Sequence, residues 1–384
     1  MSWIIFFFFF SFSYGGIHYY FFSRLKAAFH LPVLWAAVLI FFLAVMVTSP
    51  FLVYFAERYC GQLAARIFAS FSYSWMGFLF LFFCLSLLFD FCHLLLHVAR
   101  HFQKADLGLL SLKPRFSFLL SLCLALMIFA YGLFEAGNIR AERVIVRTGK
   151  LPASLARIRI VQITDVHIGL IMQGRRLERV IAMIKEAAPD ILVSTGDLVD
   201  GQADAIAEQF SLFQSISPPL GKFAVMGNHE YYTGLGKALA LTRRAGFTIL
   251  RGEGKVINGL VNIAGLDDLV VRKGLGEGEK TDFFRKTLEA LPRDKFTVLL
   301  YHRPVIEPDY LGLFDLQLSG HTHKGQIFPF SLITGLVFSR QDGYYALPRH
   351  SALYASRGTG TWGPPVRFLA PPEITIIDLL PEDK

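Results

Sequence analysis

Four stretches in the first 140 residues constrain this chain most: roughly Trp3 to Phe22, Leu31 to Phe55, Phe68 to Val98 and Phe116 to Leu133 are almost wholly apolar. About 20 such residues, coiled as a helix, match the hydrocarbon thickness of a bilayer; the third stretch exceeds that length, so tilt or a protruding end is expected. The first, with its run Phe6 to Phe10, lacks the basic n-region and small-residue cleavage pattern of a signal peptide and reads as a further span. Residues 1–140 are thus expected to form a transmembrane region of about four helices, and residues 141–384 a separate folded domain.

Charge follows the same division. The first 140 residues hold 9 Lys+Arg against 4 Asp+Glu, which leaves +3 of the total +8 for the remainder. No block of basic residues interleaved with aromatics occurs there, which argues against nucleic acid as a partner. All four cysteines, Cys60, Cys84, Cys92 and Cys123, lie in the apolar region, so the second part has neither a disulfide framework nor a thiolate metal site. Basic residues balance across the membrane. Arg24 and Lys26 in loop one, with Arg100, Lys104, Lys113 and Arg115 in loop three, face Arg58, Arg66, Arg140, Arg143, Arg147 and Lys150 on the other side. The run ERVIVRTGKLP reads as the first strand of the following domain, and charges in a folded domain count for less, so loops one and three are expected to be cytoplasmic and the C-terminal domain extracytoplasmic.

From about Glu142, apolar runs alternate with helical patterns, and strands dominate late, as in an α/β domain. Strands are expected at Arg157 to Thr164, Ile191 to Thr195, Phe223 to Met226, Phe247 to Leu250, Val261 to Gly265, Phe296 to Tyr301 and Leu316 to Ser319. Helices are expected at Arg175 to Glu186, near Ala205 to Phe213, near Lys237 to Ala245 and at Asp282 to Leu291. Five of these strands end in polar motifs: Asp165-Val-His167, Gly196-Asp197, Gly227-Asn228-His229-Glu230, His302 and Gly320-His321-Thr322-His323. Ligands of open α/β sheets bind beyond the carboxyl ends of the strands. Of the six histidines in this part, only His350 lies outside the series, and five satisfied structural histidines at strand ends are hard to arrange by chance.

Imidazole with carboxylate suits Mn, Fe, Zn or a similar divalent ion. Seven candidate ligands exceed one four-coordinate site with an open position but suit two ions sharing a carboxylate, ~3.5 to 4 Å apart, which can activate a bridging water and clamp a phosphoryl group in line. Gly196, Gly227 and Gly320 would let the backbone turn so that the next residue faces the ions.

The ordered series D-x-H, GDLVD, GNHE, H and GHTH from Asp165 to His323 resembles the calcineurin-like metallophosphoesterase family. The resemblance implies a four-layer α/β/β/α sandwich of two mixed sheets. It implies Asp165, His167 and His323 as ligands of one metal, Asn228, His302 and His321 of the other, and Asp197 bridging, with no ligand position replaced. It also implies a metal-bridging hydroxide as nucleophile, and His229 as the group that protonates the leaving oxygen or stabilises phosphoryl charge. The tail SRGTGTWGPPVRFLAPPEI and the approach KLPASLARIRIVQITDVHIG are similar to a membrane-associated phosphodiesterase subgroup. Arg357 and Arg367 are candidate phosphate clamps or solvated arginines; Asp267 and Asp268 read as turn caps.

Asp90, His93, His97 and His101 are spaced to share one helix face, read as interfacial anchoring ahead of a metal or haem site. Two function classes follow. One is a membrane-anchored, metal-dependent phosphohydrolase acting on a diester or pyrophosphate, with a lipid-linked substrate such as UDP-2,3-diacylglucosamine as one form; membrane lipids would then be partners. The other is a membrane sensor or transporter-like protein with a regulatory phosphoesterase domain.

Overall fold

The computed structural model describes residues 2–103, 113–201, 206–268 and 284–382. It has two compact units: Met1–Phe134 with Gly363–Val366, and Glu135–Trp362 with Arg367–Lys384.

Four helices build the first unit: α1 Ser2–Ala28, α2 Val33–Tyr59, α3 Gln62–Gln103 and α4 Pro114–Gly137. Among the described residues three helices are long and apolar enough to cross a membrane, Val33–Tyr59, Gln62–Ala99 and Pro114–Gly137. The first apolar stretch is helical, as expected, but is not one of those three.

Its polar groups find partners inside the unit. Nδ1 of His18 lies 2.8 Å from the Tyr14 carbonyl, and Trp75 Nε1–H donates to His18 Nε2 at 3.0 Å. Arg24 pairs with Asp90 at 2.8 Å and donates to Ser117 Oγ at 2.9 Å, while the Tyr20 hydroxyl donates to Asp90 at 2.5 Å. Two loop assignments are thereby corrected, because Arg24 and Lys26 lie within α1 rather than in loop one. Lys104 falls outside the described residues. Asp90 bonds across to α1, and His97 and His101 are exposed, so these four residues do not converge on one ligand. An acid in an apolar bundle takes a basic partner, which the i, i+3, i+4 pattern of its own helix cannot reveal.

The second unit holds two six-stranded sheets. The first has the order β1 (Arg140–Thr148), β12 (Glu373–Pro381), β2 (Ile158–Ile163), β3 (Ile191–Ser194), β4 (Lys222–Ala224), β5 (Thr248–Ile249). The second has the order β10 (Gly343–Ala346), β11 (Ala352–Ala355), β9 (Leu316–Ser319), β8 (Phe296–Tyr301), β7 (Val261–Leu266), β6 (Glu253–Ile257). Strands β2, β3, β4 and β5 run parallel, as do β7, β8 and β9, while β12 runs antiparallel to β2.

Strands buried on both faces explain the layering. In β2, Ile158 and Ile160 face one core with Val261, Val298, Leu300 and Leu318 of the other sheet, whereas Val161 and Ile163 face a second core. That second core is closed by α5 (Arg175–Ala187), whose Leu177, Val180, Ile181 and Ile184 recur at helical spacing, by a 3-10 helix (Gln209–Ser215) and by α6 (Asn228–Arg244). Outside the other sheet, Ala264, Leu266, Leu299 and Tyr301 pack on Phe284, Leu288, Tyr310 and Phe314. This is the four-layer α/β/β/α sandwich implied by the resemblance. Each fully buried Ile or Leu contributes about 1.5–3 kcal/mol against leaving it exposed.

Several elements differ from expectation. Within the helix expected near Ala205 to Phe213, residue 206 is α-helical and Gln209–Ser215 forms a 3-10 helix, while residues 202–205 lie outside the described set. Helix α6 starts at Asn228, nine residues before Lys237, because Glu230 caps its first turn. Residues 282 and 283 of the expected Asp282 to Leu291 helix are outside the described set, and 284–289 are helical. Strand β6, read EGKVI, and helix α7 (Phe330–Val337) have no sequence counterpart among the expected elements.

Candidate metal centre

Beyond the carboxyl ends of β2, β3, β4, β8 and β9, the five expected motifs converge. Nε2 of His167 lies 3.1 Å from Nε2 of His323, which in turn lies 3.4 Å from an Asp165 carboxylate oxygen. On the other side Nε2 of His302 lies 3.2 Å from Asp197, 3.2 Å from Asn228 Oδ1 and 3.2 Å from His321 Nδ1. Three overlapping groups could each hold a metal ion, with ligand atoms within 4.8 Å of one another: Asp165, His167, His323; His167, Asp197, His229; and Asp197, His302, His321. All seven expected ligand residues and His229 are therefore brought together. His167 Nδ1 is buried without a hydrogen-bond partner, and nitrogen and oxygen donors are mixed, a donor set that fits a borderline divalent ion.

Backbone conformation marks the same residues. Asp165 (φ 51°), His167 (51°), Asp197 (51°), His321 (72°) and His323 (48°) all occupy the left-handed region. Each such non-glycine residue costs of order 1 kcal/mol or more, and such outliers cluster at functional sites because the surrounding fold enforces them. Glycine serves close approach more than turning here. Gly196 does have φ 101°, but a Cβ on Gly227 would overlap an Asp197 oxygen, and one on Gly320 an Asp165 oxygen.

Electrostatics separate the imidazoles. Burial and the neighbouring His302 and Arg303 push His321 down to about 3, and burial with Arg367 keeps His323 well below its usual range, so both are neutral and able to ligate. Burial also disfavours charge on His302 and His229. For His302 the Asp197 carboxylate outweighs it and raises the group to about 10, and for His229 Asp197 and Asp200 together raise it to about 9. Burial alone would raise the Asp197 carboxyl, yet His302 and His229 hold it well below the carboxylate range.

Two contributors escaped the sequence reading although both stand inside quoted motifs. The Glu230 carboxylate is buried and accepts four backbone N–H groups: Asp197 (3.0 Å), Leu198 (2.6 Å), Val199 (3.0 Å) and Gly227 (2.7 Å). It fastens the β3 and β4 loops to the first turn of α6; the capping-box spacing in GNHE was its available signal. Glu230→Gln, which turns an amide NH2 toward two of these donors, is expected to lower unfolding stability by about 2 to 4 kcal/mol and to lower bound metal. Thermal unfolding of the purified chain, with and without metal, checks this; an unchanged midpoint would refute it.

Asp200 is the second. It lies 3.3 Å from His229 Nδ1 and 3.6 Å from His167 Nδ1. Orienting carboxylates of this kind commonly change activity by about 10–100-fold, and that loss is expected for Asp200→Asn. Asp197 and Asp200 hold the protonated form of His229, so, with His229 as the proton donor that the resemblance implies, turnover is expected to decline as pH rises, with a midpoint at or below about 9 because bound cations repel the imidazolium. A pH-rate profile in which Asp200→Asn leaves that limb in place would contradict the assignment.

The two arginines are corrected as phosphate clamps. Arg367 is wholly buried, and its guanidinium donates to the carbonyls of Gly360, His323, Arg357 and Ala370, with Nη2 3.0 Å from His323 Nδ1. Arg357 pairs with Glu142 and Glu373 and donates to the Pro371 carbonyl. Neither fork is presented to solvent. Asp267 and Asp268, read as turn caps, accept from Arg251 (2.7 Å) and Arg303 (2.6 Å).

Fold and site together define a metal-dependent phosphoester hydrolase. A family model, calcineurin-like phosphoesterase, matches residues 158–325. A metallophosphoesterase of Aquifex aeolicus is 39% identical over 257 residues, covering 67% of this chain and 97% of that protein. One of Bacillus subtilis is 34% identical over 251 residues, 61% of this chain and 83% of its own length. A transmembrane protein with metallophosphoesterase domain from Danio rerio is 31% identical over 271 residues; 68% of this chain matches 62% of that protein. The chain belongs to the calcineurin-like metallophosphoesterase family.

Proposed function

We propose that the chain is a multi-pass membrane-anchored phosphodiesterase or pyrophosphohydrolase that binds two divalent ions, Mn, Fe or Zn. The observation that carries this is the sharing of Asp197 between ligand groups on both sides of the cluster. In this reading Asp165, His167 and His323 hold one ion, Asn228, His302 and His321 the other, and Asp197 both. When bound, such a pair supplies an activated water and clamps the attacking and leaving oxygens. Thr164 Oγ1, donating to Asp165 at 2.7 Å, and the His229 amide, donating to Asp197 at 2.8 Å, keep both carboxylates turned toward the ions. His229, cationic beside Asp200, donates the proton to the departing oxygen.

The membrane reading rests on the three apolar helices, and the extracytoplasmic side of the domain on Arg140, Arg143 and Arg147 being drawn into β1. The boundary near residue 140 is supported by the change from helix to sheet there. A lipid-linked substrate is one form of this activity; the regulatory alternative draws only on the number of helices. Hydrolysis of bis-p-nitrophenyl phosphate and p-nitrophenyl phosphate by the purified full chain with added Mn tests the proposal. Diester turnover dependent on metal is expected; two bound ions with turnover of neither ester would set the phosphodiesterase assignment aside.

A further inference from the structure

Helix α7 has no buried residue, and its apolar side chains point to solvent all round: Leu332 is 63% exposed, Ile333 56%, Leu336 88% and Val337 72%. Phe328 and Phe330 extend the patch at its start, and the exposed Trp362 is held by a reciprocal pair of hydrogen bonds between its backbone and the Gln326 amide. Water-soluble domains seldom present so contiguous an apolar surface without an occupant.

The helix is fastened to the metal centre at both ends. Its start lies so close to Gly325 that a Cβ there would overlap Ser331. Beyond its end, the Phe338 ring meets the His321 ring edge-on at 5.3 Å, and the Gln341 carbonyl accepts from Thr322 Oγ1 at 2.8 Å. Whatever covers α7 is therefore brought beside the GHTH turn.

Connectivity selects the occupant. Only Asn138 and Ile139 separate α4, apolar enough to cross a membrane, from β1 of the catalytic sandwich, so the sandwich is kept at a bilayer surface. Leu, Ile, Val and Phe with a Trp beside them are the residue types that enter the boundary between headgroups and acyl chains, and the neighbouring Arg340 suits anionic headgroups.

We propose that α7, with Phe328 and Trp362, docks into the lipid interface and holds the metal centre at the headgroup plane, so that phosphoesters anchored in the bilayer are favoured over soluble ones. The preference for bilayer-borne esters rests on the phosphodiesterase reading; the docking does not.

The test uses the full chain in phosphatidylcholine/phosphatidylglycerol vesicles containing an alkyne-tagged lipid. A photoreactive benzoylphenylalanine replaces Leu336 or, as the control, the exposed Val256 of β6. Lipid adducts are expected at position 336 at about fivefold or more the level at 256, since an inserted side chain has acyl chains as neighbours. Equal labelling, or adducts to a second copy of the chain instead of lipid, overturns the docking. In parallel, Leu332→Asp with Leu336→Asp is expected to reduce hydrolysis of vesicle-borne p-nitrophenyl hexadecyl phosphate about tenfold while soluble bis-p-nitrophenyl phosphate stays within about twofold, through lost local concentration. Equal retention of both activities overturns the preference. If the unsubstituted chain cleaves neither ester, the phosphodiesterase reading fails and the adducts alone decide the docking.

Discussion

Asp197→Ala is expected to remove turnover of phosphodiesters and to strip metal from both halves of the centre at once. Its carboxylate belongs to ligand groups with His302 and His321 on one side and His167 and His229 on the other, and it is 2% exposed, so no solvent oxygen replaces it without rearrangement. Outer-shell partners typically cost about 10–100-fold, and loss of a shared ligand is expected to exceed that range. Removing the buried carboxylate also takes away the main carboxylate partner of His302 and the acceptor of the His229 amide. The variant is therefore expected to fold with a lower unfolding midpoint. Metal content by mass spectrometry, measured beside turnover, decides the matter; two retained ions with more than a tenth of normal activity would remove the shared role.

His229→Ala is expected to behave differently, keeping its metal while losing turnover in a manner that depends on the leaving group. A proton donor is worth about 10²–10⁴-fold when the departing oxygen is strongly basic. An alkyl phosphodiester is therefore expected to lose activity by that factor. A p-nitrophenyl ester, whose leaving group departs without a proton, is expected to lose much less. Equal losses for both esters would assign His229 to stabilising phosphoryl charge instead. The geometry carries the first expectation: Asp200 sits 3.3 Å from Nδ1, and Trp362 and Tyr232 contact the ring at 5.8 and 5.5 Å, which fixes its plane.

Much of this protein was legible before any coordinates because its central elements are local and redundant. Strands such as Phe296–Tyr301 and Leu316–Ser319 are short, largely apolar and buried on both faces, and the chemistry follows directly at their ends. Parallel strands open to one edge, so residues distant in sequence could be placed together without knowing a single contact. The short polar strand Glu253–Ile257 was hidden because its burial alternates weakly, and α7 because its eight residues, FSLITGLV, are too few for periodicity to distinguish helix from strand.

The sequence by itself determined the apolar helices, the alternation of the sandwich and the identity of the eight residues gathered at its rim. Only the tertiary structure decided their partners. It turned Arg357 and Arg367 inward, joined Asp90 to Arg24 across 66 positions, and set Glu230 beneath the Asp197 loop. A buried charge must be paired or hydrogen-bonded, but which group satisfies it depends on surfaces that meet only after folding.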